Sequence, residues 1–200
     1  MIGVDQATGM LRLASNVVTF PVAARVPGLP FLNDAFSTVT VAFVISHAAD
    51  YMSFLADVLR CLRPGGCAGF TAWGNNENEF RKSWEEVAHE YIPQEETKKA
   101  IREAIPWEEL FSNPENLSEA CRTSGFQSVR AEERNYELQL SREEFLSYRN
   151  ASMQGRLLQH RLPGAKWNEF HDRIRNVFES SFPDILHLQH KAFLCIGTKK

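Results

Sequence analysis

Residues 38–45, TVTVAFVI, decide the fold that this chain is expected to adopt. The run is nearly continuous in apolar and β-branched side chains, which is typical of a parallel strand covered on both faces. Residues 51–66, YMSFLADVLRCLRPGG, follow with apolar side chains at helical spacing, and a Pro-Gly-Gly turn is expected to end the helix. Residues 67–73, CAGFTAW, predict a second strand. The three segments predict a right-handed β-α-β unit whose strands lie parallel in one sheet.

A shorter strand is predicted upstream, at Ile2–Asp5, where an apolar triplet ends in an acid. A helical pattern begins at Gly9, and Val17–Phe20 is a weaker strand candidate. In doubly wound nucleotide-binding folds, an acid that ends the second strand binds ribose hydroxyls, while a Gly-rich turn after the first strand holds the charged part of the ligand. Asp5 is therefore the first candidate for a binding residue.

The composition changes at Asn75, after which charged and aromatic side chains predict two amphipathic helices up to Pro114. These helices are expected to lie outside the sheet as an insertion. A short helix is predicted over residues 114–125, with Asn113 as its N-cap.

The rest of the chain predicts helices between two strands. Residues 128–140 alternate as an exposed strand does, and residues 186–198 predict a final strand. Ser141 and Glu144 have the spacing of a capping box, so a helix is expected to begin there.

Composition restricts the class of protein. With 200 residues, 44% of them apolar, the chain is expected to form one domain with a buried core. A net charge of −3 without a basic block argues against nucleic acid and anionic membranes as partners. No apolar run approaches the roughly 18–20 residues of a membrane span, and no signal peptide is evident. Four cysteines without a C-x-x-C pair predict reduced, mostly buried thiols in a cytoplasmic protein.

Two segments of the chain, in this order, resemble class I S-adenosylmethionine-dependent methyltransferases of type 11. The first is residues 3–14, GVDQATGMLRLA, and the second is residues 29–74, LPFLNDAFSTVTVAFVISHAADYMSFLADVLRCLRPGGCAGFTAWG. The resemblance implies an α/β fold with a Rossmann-like sheet, truncated at its N-terminus and carrying helical lid insertions. It implies one domain with three parts: a cofactor-binding half at residues 1–74, a helical lid at residues 75–114, and C-terminal helices and antiparallel strands at residues 115–200.

The resemblance also implies roles for particular side chains. Asp5 would accept hydrogen bonds from both ribose hydroxyls of S-adenosylmethionine, or it would only cap the helix that follows. His47 would act as a general base or orient the substrate, unless it is a surface residue without a role. The implied cofactor-binding residues are Asp5, Gln6, Met10, Phe43, Val44 and Ser46. The implied substrate-binding residues are Trp73, Asn75 and Trp107. No metal is implied, because the sulfonium methyl is already activated.

Two features depart from the family pattern. The family's first strand and its Gly-rich turn are missing, and no two of the eleven glycines are spaced i, i+2. The acid that often binds the adenine amine is also missing, since Ala23, Ala24 and Arg25 occupy that neighbourhood. In the family's strand order, the missing strand lies between the strands at Ile2–Asp5 and residues 38–45. Its absence is expected to leave two strand edges facing a gap.

Three explanations are compatible with these departures. The chain is a fragment or begins downstream of the true start, or it is a degenerate relative that serves as a binding or dimerisation module. Alternatively it is active, with the gap closed by the Ile2 strand moving beside residues 38–45 or by a partner's strand. A homodimer or a strand-complementing partner is therefore expected as a candidate assembly. For an active chain we expect methyl transfer to an oxygen, nitrogen or carbon atom of a small molecule. Aromatic side chains of the lid favour an apolar or aromatic substrate, or they only hold the lid helices together.

Overall fold

A computed structural model describes residues 1–200, and it has the α/β architecture that the sequence predicts. The strands are β1 (Ile2–Asp5), β2 (Phe20–Ala23), β3 (Phe36–Ala42), β4 (Leu62–Trp73), β5 (Gln127–Ser141) and β6 (Ile185–Thr198). The helices are α1 (Thr8–Leu13), α2 (Tyr51–Cys61), α3 (Glu79–His89), α4 (Gln94–Ala104), α5 (Glu108–Phe111), α6 (Pro114–Thr123), α7 (Arg142–Ala151), α8 (Met153–Arg161) and α9 (Gly164–Ser181), with a 3-10 turn at Ile45–His47. None of these helices is long and apolar enough to cross a bilayer.

The strands form two separate sheets. β1 pairs in parallel with β2, and the other four strands are arranged in the order β3-β4-β6-β5. β3 and β4 are parallel, which confirms the predicted β-α-β unit, and the two C-terminal strands lie together at one edge. β6 runs antiparallel to β4, since Gly65 N–H donates to Lys199 O at 3.0 Å while Gly74 N–H donates to Lys191 O at 2.9 Å.

β1 and β3 do not pair with each other, so each presents one unpaired edge. The explanation in which the Ile2 strand moves beside residues 38–45 is therefore wrong for this structure. β1 instead pairs with β2, from Ile2 opposite Phe20 to Asp5 opposite Ala23. This register also corrects the position of the second strand, which was predicted at Val17–Phe20.

β3 is shorter and more exposed than TVTVAFVI predicted. It ends at Ala42, and Phe43 has a φ of 55°, which breaks the extended conformation. Val41 is the buried residue of this strand, whereas Thr38 and Thr40 are exposed. The expectation that the strand is covered on both faces is therefore wrong. The Pro-Gly-Gly turn differs as well, because α2 ends at Cys61 and residues 64–66 belong to β4.

The chain divides into two compact units. The first unit comprises Met1–Ala72, Asn113–Glu132 and Phe193–Lys200. Its core contains Leu55 and Val58 of α2, and Phe70 of β4 lies edge-on against Phe126 with ring centroids 5.4 Å apart. The prediction of one domain with parts at residues 1–74, 75–114 and 115–200 stays a prediction.

The second unit comprises Trp73–Ser112 and Glu133–Ala192 and is mainly helical. Its core is aromatic, because Trp84, Phe145, Phe170 and Phe178 are almost completely buried in one cluster. Residues 75–114 carry three helices rather than the predicted two, since α5 adds a single turn.

Candidate functional site

Asp5 lies at the carboxyl end of β1, as the sequence predicts, and is half-buried. Its Oδ1 accepts a hydrogen bond from the backbone N–H of Ala7 at 2.7 Å, just before α1 begins. The carboxylate therefore holds the turn into the helix with one oxygen. Gln6 and Met10 are exposed nearby, with 55% of Met10 accessible.

The predicted residues at the end of β3 form a tight turn. The N–H of Phe43 donates to Thr71 Oγ1 at 2.9 Å, which ties the left-handed residue to the neighbouring strand. Val44 is 47% exposed and Ser46 is half-buried, while Ile45 is fully buried and anchors the turn. His47 ends the turn and is exposed. Left-handed non-glycine residues are costly and are found preferentially at binding sites.

An ion pair on α2 supports the loop that precedes β3, and sequence reasoning missed it. Asp57 Oδ2 accepts hydrogen bonds from the N–H groups of Gly28 and Leu29, each at 2.7 Å. Arg60 donates to Asp57, to Phe31 O at 2.7 Å and to Leu29 O at 3.0 Å. Burial alone would raise the pKa of Asp57, but the hydrogen bonds from Leu29, Arg60 and Gly28 outweigh it and hold the pKa below its ordinary value. The side chains of Asp57 and Arg60 thus hold residues 28–31 through their backbone groups.

The residues of the first unit suit one half of S-adenosylmethionine better than the other. A carboxylate at a strand end is an appropriate acceptor for a ribose diol, and Asp5 provides it. The amino-acid half needs amide groups on a Gly-rich turn, and residues 1–200 contain no such turn. Gly28 has a positive φ of 112°, but its N–H is already bonded to Asp57.

A cavity of about 280 Å³ lies entirely within the second unit. Trp73, one of the predicted substrate residues, lines it and is 46% exposed. Asn76 and Asn78 line it in place of Asn75, whose Oδ1 instead accepts from Glu77 N–H at 3.2 Å. Trp107 is half-buried and does not line this cavity.

The charged side chains of Arg81 and Arg149, which the sequence did not reveal as site residues, line the same cavity, and Glu85 lies behind them. Arg149 is only 8% exposed, and its guanidinium carbon lies 4.7 Å from the ring centroid of Trp84. Glu85 Oε1 accepts from Arg81 Nε at 2.8 Å and from Arg149 Nη2 at 3.4 Å. The Arg81–Glu85 pair has i, i+4 spacing and could have been found from the sequence. Arg149 lies on α7, 64 residues away from Glu85, so its contact with Glu85 could not have been found from the sequence.

His190 also lines the cavity and faces Trp73 edge-on, with ring centroids 6.3 Å apart. Burial lowers the pKa of His190, and the positive charge of Arg81 lowers it further. The imidazole is therefore neutral at neutral pH and can accept a proton. No group of three or more His, Cys, Asp or Glu side chains in residues 1–200 is arranged to bind a metal.

Comparisons with known proteins agree with this fold. Residues 1–70 match the family model described as a methyltransferase domain. The ubiquinone/menaquinone biosynthesis C-methyltransferase UbiE of Geobacter sulfurreducens is 37% identical over 76 residues, which are 34% of this chain. The match spans only 30% of the length of that curated relative.

Solved structures also resemble the whole chain. A Bacillus halodurans protein described as a methyltransferase aligns with a TM-score of 0.58 at 15% identity, over 99% of this chain and 82% of the other. Phosphoethanolamine N-methyltransferase 2 of Haemonchus contortus, in complex with phosphomonomethylethanolamine and S-adenosylhomocysteine, aligns with a TM-score of 0.52 at 16% identity, over 99% of this chain and 43% of the other. Residues 1–70 are thus similar in sequence to a methyltransferase domain, and the chain as a whole has the α/β fold of solved methyltransferase structures.

Proposed function

We propose that this chain takes part in methyl transfer from S-adenosylmethionine to a small molecule. The observation that carries the proposal is the position of Asp5 at the carboxyl end of a parallel strand, within the segment that matches the methyltransferase model. When bound, S-adenosylmethionine supplies an activated methyl group on its sulfonium. The free thiols of all four cysteines support a cytoplasmic location.

In this proposal Asp5 binds the ribose, and the turn at Phe43–Ser46 contacts the adenosine beside it, with Gln6 and Met10. The predicted substrate residues Trp73, Asn75 and Trp107 are the candidates for contacting the methyl acceptor and orienting it. Two histidines are candidate bases for removing a proton from the acceptor. His47 is the candidate from the sequence, and His190 is the candidate that lines the cavity.

Isothermal titration with S-adenosylmethionine and with S-adenosylhomocysteine tests the proposal on the whole chain. We expect measurable binding of both ligands, but weaker binding than a complete Gly-rich turn would give. Absence of heat up to millimolar ligand, with a folded circular dichroism spectrum, would contradict the proposal.

A second candidate function is a binding module that pairs through its sheet edges, with a second copy or a partner strand. The unpaired edges of β1 and β3 favour it, because exposed strand edges are templates for pairing with another chain. Thr40 is exposed on β3, and a charge there should discourage pairing. Sedimentation velocity of the wild type and Thr40→Lys is the test: dimers that dissociate in the variant support this function, and monomers of both proteins at all concentrations argue against it.

A further inference from the structure

We propose that the second-unit cavity binds the anionic group of a small-molecule substrate, a carboxylate or a phosphate carried on an apolar or aromatic body. That the bound molecule is a substrate rests on the proposed function, but its binding can be measured without cofactor or turnover. The cavity residue that would bind the anionic group is Arg149.

Arg149 has an unused donor in a buried position. Its side chain is 9% exposed, and its Nη2 donates to Glu85 Oε1 and to Gln154 Oε1. Its Nε makes no hydrogen bond in the structure. Buried polar groups are nearly always hydrogen-bonded, so the protein satisfies this guanidinium incompletely at a side chain that lines the cavity.

Arg149 shares its ion-pair partner with a second arginine. Two guanidinium groups, those of Arg81 and Arg149, share the single carboxylate of Glu85. Burial lowers the pKa of Arg149 to about 10, and Arg81 contributes to the shift, yet the guanidinium remains charged at neutral pH. Glu108 also lines the cavity, but it is exposed to solvent, where its charge is screened. An anionic group in the cavity would add a second negative charge beside the two guanidinium groups that share Glu85.

The other walls of the cavity fit an apolar body. Ile101, Ile105, Phe145 and Leu188 line it together with the indole of Trp73. A volume of about 280 Å³ is near the lower end of small-ligand sites, and can hold a single substituted ring. The combination of an apolar wall and one charged donor is the usual composition of a pocket that orients a small ligand.

The competing interpretation is that Arg149 is only structural. Its guanidinium lies over the Trp84 ring, and such cation–π contacts stabilise a fold without any ligand. A structural arginine would leave the affinity for anions unchanged when it is replaced in a folded protein. Replacement of an anion-binding arginine would lower the affinity for anions.

Saturation-transfer NMR titrations with benzoate, phenyl phosphate and neutral benzamide separate the two interpretations. We expect benzoate or phenyl phosphate to bind the wild type at least ~10-fold more tightly than benzamide, because charge-assisted hydrogen bonds are the stronger ones. The tighter of the two anions identifies the group as a carboxylate or a phosphate. Arg149→Gln should reduce anion binding to the level of benzamide. Arg173→Gln, which alters an exposed arginine of the same unit outside the cavity, should not change it.

Equal affinities for benzoate, phenyl phosphate and benzamide, or unchanged anion binding in folded Arg149→Gln, would overturn the proposal. If Arg149→Gln does not fold, Glu85→Gln decides the question. It removes the competing carboxylate and should tighten anion binding, and unchanged affinity would count against the proposal. S-adenosylmethionine titrations on the same samples report the proposed function separately, since they do not depend on this cavity.

Discussion

Asp57 and Arg60 form an ion pair on α2, with Asp57 Oδ1 2.6 Å from Arg60 Nη2. The pair also binds the backbone of residues 28–31 through both of its members. The loop before β3 has no regular secondary structure, so these side chains replace the hydrogen bonds that a helix or sheet would supply.

We expect Asp57→Ala to lower the free energy of unfolding by about 2 kcal/mol, because two backbone N–H groups and a guanidinium lose their acceptor. The pKa of Asp57 is lower in the folded state, so its contribution is present above the ordinary carboxyl pKa and is lost as pH falls below about 4. Urea denaturation at pH 7 and pH 3 measures this. The difference between wild type and variant should shrink at pH 3. Asp172→Ala, at a carboxylate whose side chain is 75% exposed, is the control and should change little.

Replacement of Asp5 should reveal whether its carboxylate binds a ligand or only the turn. If it binds the ribose, Asp5→Ala should weaken S-adenosylmethionine binding at least ~10-fold, since each charge-assisted bond contributes on the order of 1.5–3 kcal/mol. Asp5→Asn retains an oxygen acceptor for Ala7 N–H but loses the charge, so it should fold like the wild type and still bind weakly. Calorimetric titration measures both variants, and equal affinity of all three proteins would leave Asp5 as a cap only. His47→Ala should leave the affinity nearly intact and reduce turnover alone.

Gly155 lies where α8 meets α7, and a larger residue does not fit there. A Cβ at this position would clash with the backbone oxygens of Asn150 and Arg149. Gly155→Ala should therefore destabilise the chain by about 1–3 kcal/mol, as overpacking does. Thermal unfolding provides the measurement. Gly164→Ala is the matched control, because nothing lies within 4 Å of a Cβ there and helical alanine is favourable. A stability loss of the same size in both variants would contradict the steric explanation.

The four thiols should differ in reactivity. Cys61, Cys121 and Cys195 are buried, and Cys67 is half-buried. Burial raises the pKa of Cys61, which further reduces its thiolate fraction. With DTNB the native chain should show one fast thiol, and all four should react in guanidinium chloride. Cys67→Ser should remove the fast phase. Two or more fast thiols in the native wild type would contradict the burial of the others.

Helices and strands whose stabilising partners lie close to them in the sequence could be predicted from the sequence. Ser141 and Glu144 form the predicted capping box, with Glu144 Oε2 2.8 Å from Ser141 N, and Asn113 caps α6 through Glu115 N–H at 2.9 Å. The parallel pairing of β3 with β4 also followed, because a strand, an amphipathic helix and a strand allow few other arrangements. In each case the partners are close in sequence or the connection between them is short.

Only the tertiary structure decided which edges remain unpaired and which charges are buried together. The sequence of Ile2–Asp5 suits a strand beside β2 or beside β3 equally well, and the choice depends on what else the fold offers for pairing. Arg149 and Glu85 lie on different helices, and each alone looks like an ordinary surface residue of an amphipathic helix. Their contact exists because residues of α3 and α7 pack around Trp84. Burial then raises the free-energy cost of leaving a charge unpaired at the cavity.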